Sequence, residues 1–174
     1  MRQVRGVTLV EACVVLAVST VILTAAAPAM RRLIDQQVLR GAAHELRTDL
    51  QFLRAAAVGR GRTLWLAVHG SQGGSCYVLY AGERGDCSCQ ADGSAACGPQ
   101  AESLKVAGFP MTGAVQLQAS TGLFGIEPLR GTVTPAATLK LIGRGGEAVH
   151  QVVNVMGRVR TCSPRGALPG FKAC

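Results

Sequence analysis

The stretch VTLVEACVVLAVSTVILTAAAPA, residues 7–29, carries one charged side chain, Glu11, in 23 positions. As an α-helix rising about 1.5 Å per residue, the run spans ~34 Å, enough to cross a hydrocarbon core of ~30 Å. It is longer than the apolar region of about 7–15 residues of a secretory signal. The small residues near its end do not make it one, because cleavage after Ala27 would leave Pro28 as the new N-terminus. Arg2 and Arg5 on one side face Arg31 and Arg32 on the other, so flanking charge does not orient the segment. Glu11 is the anomaly. A lone carboxylate in lipid costs about 2.5–3.5 kcal/mol on insertion scales and therefore needs a partner or a function.

The cysteines supply the orientation. Cys13 lies in the apolar run, and Cys76, Cys87, Cys89, Cys97, Cys162 and Cys174 follow it. An even number beyond the membrane fits disulfides formed in an oxidising compartment, which places the C-terminal body outside the cytoplasm. A zinc site is the competing reading. The chain has no C-x-x-C pair, and His44, His69 and His150 are not close neighbours of any cysteine, so disulfides are favoured and no metal or other cofactor is expected. Six cysteines allow 15 pairings. Cys162 and Cys174 bracket a proline-containing segment with little core of its own, and a bridge there closes it as a loop. Cys87–Cys89 would form a strained ring, so each of these is expected to join Cys76 or Cys97.

Beyond residue 29 the helix is expected to continue as an amphipathic segment, residues 30–60. Ile34, Val38, Ala42, Leu46, Leu50, Leu53 and Ala57 step by three or four and mark an apolar stripe, while Arg32, Gln36, Arg40, Arg47 and Arg54 fall largely on other faces. Gly59 or Gly61 is the candidate C-cap. Strand patterns follow at 63–69 and 76–82 around a GSQGGS loop, at 103–109 and at 114–120. A hairpin is expected from Thr138 to Val155 around RGG, and residues 83–102 read as a polar, Cys-rich excursion. Aromatic residues make up only 4% of the chain, so the core must rest on Val, Leu, Ile and Ala. The fold class is α+β: a long N-terminal helix packed on one β-rich domain, residues 61–174.

Net charge is +8, which points to acidic partners such as nucleic acid, lipid head groups or an acidic protein face. The charge gathers at the end of the chain, where seven basic residues from Arg130 onward face Glu147 alone. Arg158 and Arg160 alternate. On a strand they would share one face; beyond it they would sit in a loop held by the Cys162–Cys174 bridge. Either way two guanidinium forks can meet phosphates. Competing readings are an edge protected against aggregation, or pairing with Asp86 or Asp92. The GRGR at 59–62 shows that glycine-flanked basic pairs also arise at a helix C-terminus, where cations are favoured without a ligand.

Two motifs carry a family resemblance. RG followed by VTLVE, residues 5–11, resembles the processing site of type IV prepilins and type II secretion pseudopilins. The tail, Gly157, Arg158, Val159 and Arg160 followed by Cys162 and Cys174, is similar to the G-R-x-R signature of the GspH/FimT branch. The resemblance implies a leader of residues 1–6 and a transmembrane segment of 7–29. It implies cleavage by prepilin peptidase between Gly6 and Val7, methylation of the new N-terminus, and a helix-bending Pro28. The fifth mature residue of the family is Glu, here Glu11; Val7 stands where Phe is more usual. The implied partners are other pilins or pseudopilins through the N-terminal helix, and the implied location is the inner membrane, single-pass, with a periplasmic body. FimT-type members further imply non-sequence-specific DNA binding, for which Arg158, Arg160, Arg165 and Lys172 are the candidates. The alternative is pseudopilin H of a type II secretion system.

The resemblance gives Glu11 a physical role: the ammonium created at Val7 of one subunit can pair with Glu11 of its neighbour inside an apolar bundle. No G-x-S-x-G, H-E-x-x-H or P-loop pattern occurs, and the C-x-C at 87–89 lacks redox-active spacing, so no enzyme is expected. Glu11→Val is expected to leave membrane insertion intact and to reduce incorporation into filaments. Membrane fractionation and recovery of sheared filaments check this, and normal incorporation of the variant rules the pairing out.

Overall fold

The structure, a computed structural model, describes Gly6, residues 8–166 and residues 168–174; the side chains of Ala25 and Arg165 are also outside the description. Most of the expected leader and the candidate processing residue Val7 therefore lie outside the described residues. The chain divides into two compact units, Met1–Ile34 and Asp35–Cys174.

Helix α1 spans Leu9–Arg60. Thr8 caps it: its Oγ1 accepts the amide of Glu11 at 3.2 Å, and its carbonyl accepts that of Ala12 at 3.1 Å. Within the apolar run, the hydroxyls of Thr20 and Thr24 donate to the carbonyls of Leu16 and Val21, so neither is left unsatisfied in an apolar setting. The segment is long and apolar enough to cross a membrane, with a mean hydropathy of 2.3 over its best window. Pro28 lies inside the helix. Gly61, at φ +63°, ends it in the left-handed conformation that favours glycine.

In the second unit, the buried stripe of α1 is Leu39, Ala43, Leu46, Leu50, Leu53 and Ala57. This corrects the expected stripe in its first half. Val38 is 45% exposed and Ala42 only partly buried. From Leu46 backwards, a step of three leads to Ala43 and a step of four to Ala42. Helical spacing permits both, and packing selects the path that ends at Leu39.

The stripe meets two antiparallel sheets. The first has the order β5-β2-β1-β7-β8, with β1 Leu64–Ser71, β2 Gly74–Ala81, β5 Glu102–Pro110, β7 Leu123–Ile126 and β8 Val133–Thr134. The second has the order β11-β10-β9-β6, with β6 Val115–Ala119, β9 Ala137–Gly143, β10 Ala148–Val153 and β11 Val159–Cys162. The sheets join where the Leu117 amide donates to Ser75 Oγ at 2.9 Å. The expected strands at 103–109 and 114–120 exist but belong to different sheets. The GSQGGS loop is mostly strand: β1 and β2 pair until Ser71 faces Gly74, leaving Gln72 and Gly73 as the turn.

The Cys-rich excursion is also ordered, another departure from the expected irregular segment. Strands β3 (Cys87–Cys89) and β4 (Ala95–Cys97) pair with each other. Cys87 and Cys89 are buried and Ser88 is exposed, the alternation of a strand. The disulfides Cys76–Cys89 and Cys87–Cys97 hold this hairpin over the face of β2 that turns away from α1. That is why β2 is buried along its entire length.

A polar cluster locks α1 to the first sheet. Tyr77 donates its hydroxyl to Asp49, and Lys105 Nζ reaches Asp49 at 2.8 Å and Glu45 at 2.9 Å. The Tyr77 pKa is raised far above its ordinary 10.0, first by burial, then by Asp49 and Glu45. For Lys105 burial acts to lower the pKa, but the bonds to Asp49 and Glu45 outweigh it and the net direction is up. Both groups hold their protons more tightly in the folded chain. Their contribution is complete below the unfolded-state values of about 10 and is lost as pH rises beyond them. The thermal midpoint should therefore fall above about pH 10, and Tyr77→Phe, which keeps the ring, should make that fall shallower. Leu53→Ala should cost about 2–5 kcal/mol in denaturant unfolding, as a fully buried leucine in the stripe.

Candidate nucleic-acid interface

The basic tail begins at a turn that only glycine can make. Gly157 has φ +72°, and a Cβ there would collide with the Gly131 carbonyl and lie 3.2 Å from Arg54 Nε. Its amide donates to the Asn154 carbonyl at 2.9 Å, and the Arg158 amide donates to Asn154 Oδ1 at 2.9 Å. Arg54 Nη1 donates to the Gly157 carbonyl at 3.2 Å, tying the turn to α1. The glycine of G-R-V-R thus has a backbone role, and the arginines that follow are free to be exposed.

Arg158 and Arg160 are both exposed. They do not share one strand face, because β11 begins at Val159. Register places Val159 opposite Val153 and Thr161 opposite Gln151, with Arg160 opposite Val152. Gln151 is fully buried; it donates to the Ala43 carbonyl of α1 at 2.8 Å and accepts from Thr161 Oγ1 at 2.7 Å. Val159 and Thr161 therefore face the helix, and Arg160 projects from the opposite face. Arg158, outside the strand, lines a cleft of about 680 Å³ with Leu50, Arg54, Val58 and Val159.

The tail folds back along the end of β11. The disulfide Cys162–Cys174 closes it. Ser163, fully buried, receives the amides of Leu168 and Cys174, donates its hydroxyl to the Ala148 carbonyl, and gives its own amide to the Lys172 carbonyl. Leu168 enters the core. Arg40 Nη2 donates to the Pro169 carbonyl at 2.9 Å, and the rings of His44 and Phe171 lie 6.1 Å apart. These contacts leave a second cleft, of about 440 Å³, lined by Arg40, His44, Arg47, Thr161, Phe171 and Lys172. Lys172 is exposed; Arg165 lies in the 3-10 turn Pro164–Gly166, its side chain outside the description.

The acids that the sequence offers as partners for the tail arginines are engaged elsewhere. Asp86 accepts the Glu83 amide, and Asp92 accepts both the amide and the hydroxyl of Ser94, which lower its pKa. Neither pairs with Arg158 or Arg160 among the described residues. Arg60 and Arg62, the GRGR pair, meet Glu102 at 3.0 and 3.4 Å. His150 lies opposite Cys162 and opposite Lys140; burial first, then the Lys140 charge, lowers its pKa, so it adds no cation near neutral pH. Among the described residues no group of three metal-ligating side chains converges.

At the other end of the chain, Gly6 is exposed and Glu11 occupies the third position of α1. The sequence TLVE is thus half of a capping box, with a carboxylate in the first helical turn, a signal the residues alone could have yielded. The arginines of α1 are a second signal present in the residues alone: Arg40, Arg47 and Arg54 recur every seven residues and so must lie near one another around the helix.

Three comparisons bear on this architecture. A solved structure of the type IV minor pilin FimU from Pseudomonas aeruginosa is similar at 18% identity, with a TM-score of 0.50 over 78% of this chain and 96% of that one. The minor pseudopilin EpsH from the Type 2 Secretion System of Vibrio cholerae is similar at 17% identity, with a TM-score of 0.45 over 72% of this chain and 96% of that one. No curated protein matches in sequence. The likeness to FimU shows that the helix-on-sheet body has a pilin fold. A family model described as type II transport protein GspH matches residues 42–157, more than half of the sequence, and the chain belongs to that family of minor pilins and pseudopilins.

Proposed function

We propose that this family member is a DNA-capturing minor pilin of the GspH/FimT type. In this reading the precursor sits in the inner membrane with a periplasmic body. Prepilin peptidase cuts it after Gly6, Val7 becomes the methylated N-terminus, and Glu11 pairs with that terminus in a neighbouring subunit. The body then presents Arg158, Arg160, Arg165 and Lys172 to DNA phosphates. The observation that carries the reading is the set of exposed cations Arg158, Arg160 and Lys172 around one edge strand, with no carboxylate partner among the described residues. Binding of this kind reads charge, not sequence, because phosphate contacts alone carry no base information.

A second reading is pseudopilin H of a type II secretion system, a structural subunit whose partners are other pseudopilins and exported proteins. The description of the matching family model favours it. Deleting the gene and measuring transformation and protein secretion separately assigns the machine: loss of transformation alone supports the first reading, and loss of secretion alone the second.

For DNA capture, the full-length protein in detergent should retard duplex DNA, and Arg158→Ala/Arg160→Ala should weaken that retardation without changing the thermal midpoint. If both arginines meet phosphates, the log–log salt slope should shrink by about 1.8, at ~0.9 for each phosphate no longer neutralised. Retardation unchanged by the double substitution overturns this assignment.

A further inference from the structure

The outer half of α1 carries cations that the tail motif does not account for. Arg40, His44, Arg47, Gln51 and Arg54 follow one another at helical spacing and line the two clefts between α1 and β11. The clefts succeed one another along a single seam, since the first half of this helical row faces Thr161 and the second half faces Val159. Neither lining contains a carboxylate. From Arg40 to Arg54 the row runs ~21 Å, long enough to lie beside several phosphates of a strand whose charges advance about 3.4 Å along the duplex axis.

The arginines differ in what they already do. Arg54 and Arg40 each give a hydrogen bond to a backbone carbonyl, of Gly157 and Pro169, and so hold the turn and the tail in place. Arg40 Nε remains buried with no partner. Arg47 is exposed and makes no side-chain hydrogen bond or ion pair among the described residues. On the far wall stand Arg158 and Lys172, while Arg160 points out of the opposite face of β11.

We propose that DNA lies in this seam with its sugar–phosphate backbone between the two walls, and that Arg47 of α1 contacts phosphate directly together with Arg158 and Lys172. Arg40 and Arg54 act as positioning residues that keep the second wall at its distance. The inference rests on the DNA-capture reading and adds the helix to the site.

The test uses full-length protein in detergent, a fluorescent duplex and a salt titration. Arg47→Gln should weaken binding and shrink the salt slope by about 0.9 with an unchanged thermal midpoint. Arg60→Gln removes an equal charge from the same helix, but from a side chain already bound to Glu102, and should leave binding near that of the parent. If Arg47→Gln binds like the parent while Arg158→Ala/Arg160→Ala does not, the helix wall is refuted and the tail assignment stands. If both single glutamine variants weaken binding equally, net charge alone is at work and the seam is refuted. If the unsubstituted protein fails to bind DNA, both the seam and DNA capture fall.

Discussion

The rotation of α1 about its own axis governs what this body can present. The stripe Leu39, Ala43, Leu46, Leu50, Leu53 and Ala57 is buried almost completely against both sheets. Truncating any of its four leucines to alanine costs about 2–5 kcal/mol, and a rotation that exposed them together would forfeit all four. At about 100° per residue, fixing the stripe fixes everything else on the helix. Arg40, Arg47 and Arg54 then fall roughly 60–100° to one side, and Asp49 and Glu45 roughly 80–120° to the other. The acidic flank meets Tyr77 and Lys105 of the first sheet, where its charge is neutralised. The basic flank meets β11 of the second sheet, where Gln151 of β10 bridges to the Ala43 carbonyl and the linings of the two clefts hold no carboxylate among the described residues. One helix thereby serves as a sorted boundary between a neutralised side and an uncompensated one.

A chain this poor in aromatic residues needs other means to hold its outer layers. Strand β2 is buried on both faces because the helix covers one and the β3–β4 hairpin covers the other. That hairpin is too short to be stable alone, and two disulfides bind it to β2 and to itself. The third disulfide does the same for the tail, where the apolar anchors are Leu168 and the half-buried Phe171. Bridges occur where the apolar contact is thin, which is the physical reason so small a body carries six cysteines outside its apolar run.

The parts of the fold legible in the sequence are those with strong local periodicity: the long helix, the 64–81 and 137–153 hairpins, and the strands at 102–110 and 115–119. Strands β7, β8 and β11 are two to four residues long and escape a reading by pattern, because so short a segment carries too little alternation. Which sheet each strand joins depends on long-range pairing, and nothing near residues 103–120 encodes it. Of the site, the exposed arginines after Gly157 are legible as a motif. Their separation onto different faces is not, since it depends on β11 starting one residue later than an alternating strand would require. The helix wall of the site is hidden for a related reason: its cations look like ordinary solvated residues until β11 is placed beside them.

The two glycine–arginine motifs of this chain make the same point in chemical terms. GRGR at 59–62 and GRVR at 157–160 are nearly identical as strings. At the first, Glu102 of β5 lies within reach of both guanidiniums and the charges are matched within the fold. At the second, one cleft sets Arg54 of α1 beside Arg158, and the next sets Arg40 and Arg47 beside Lys172, with no carboxylate in either lining among the described residues. An exposed ion pair contributes at most about 1 kcal/mol to stability, so leaving the second set unmatched costs the fold little. The same unmatched charge, gathered along one seam, is worth far more to a polyanion that releases counterions on binding. The distinction between a helix-end decoration and a binding surface lies in whether a distant strand brings a carboxylate to the arginines or withholds it.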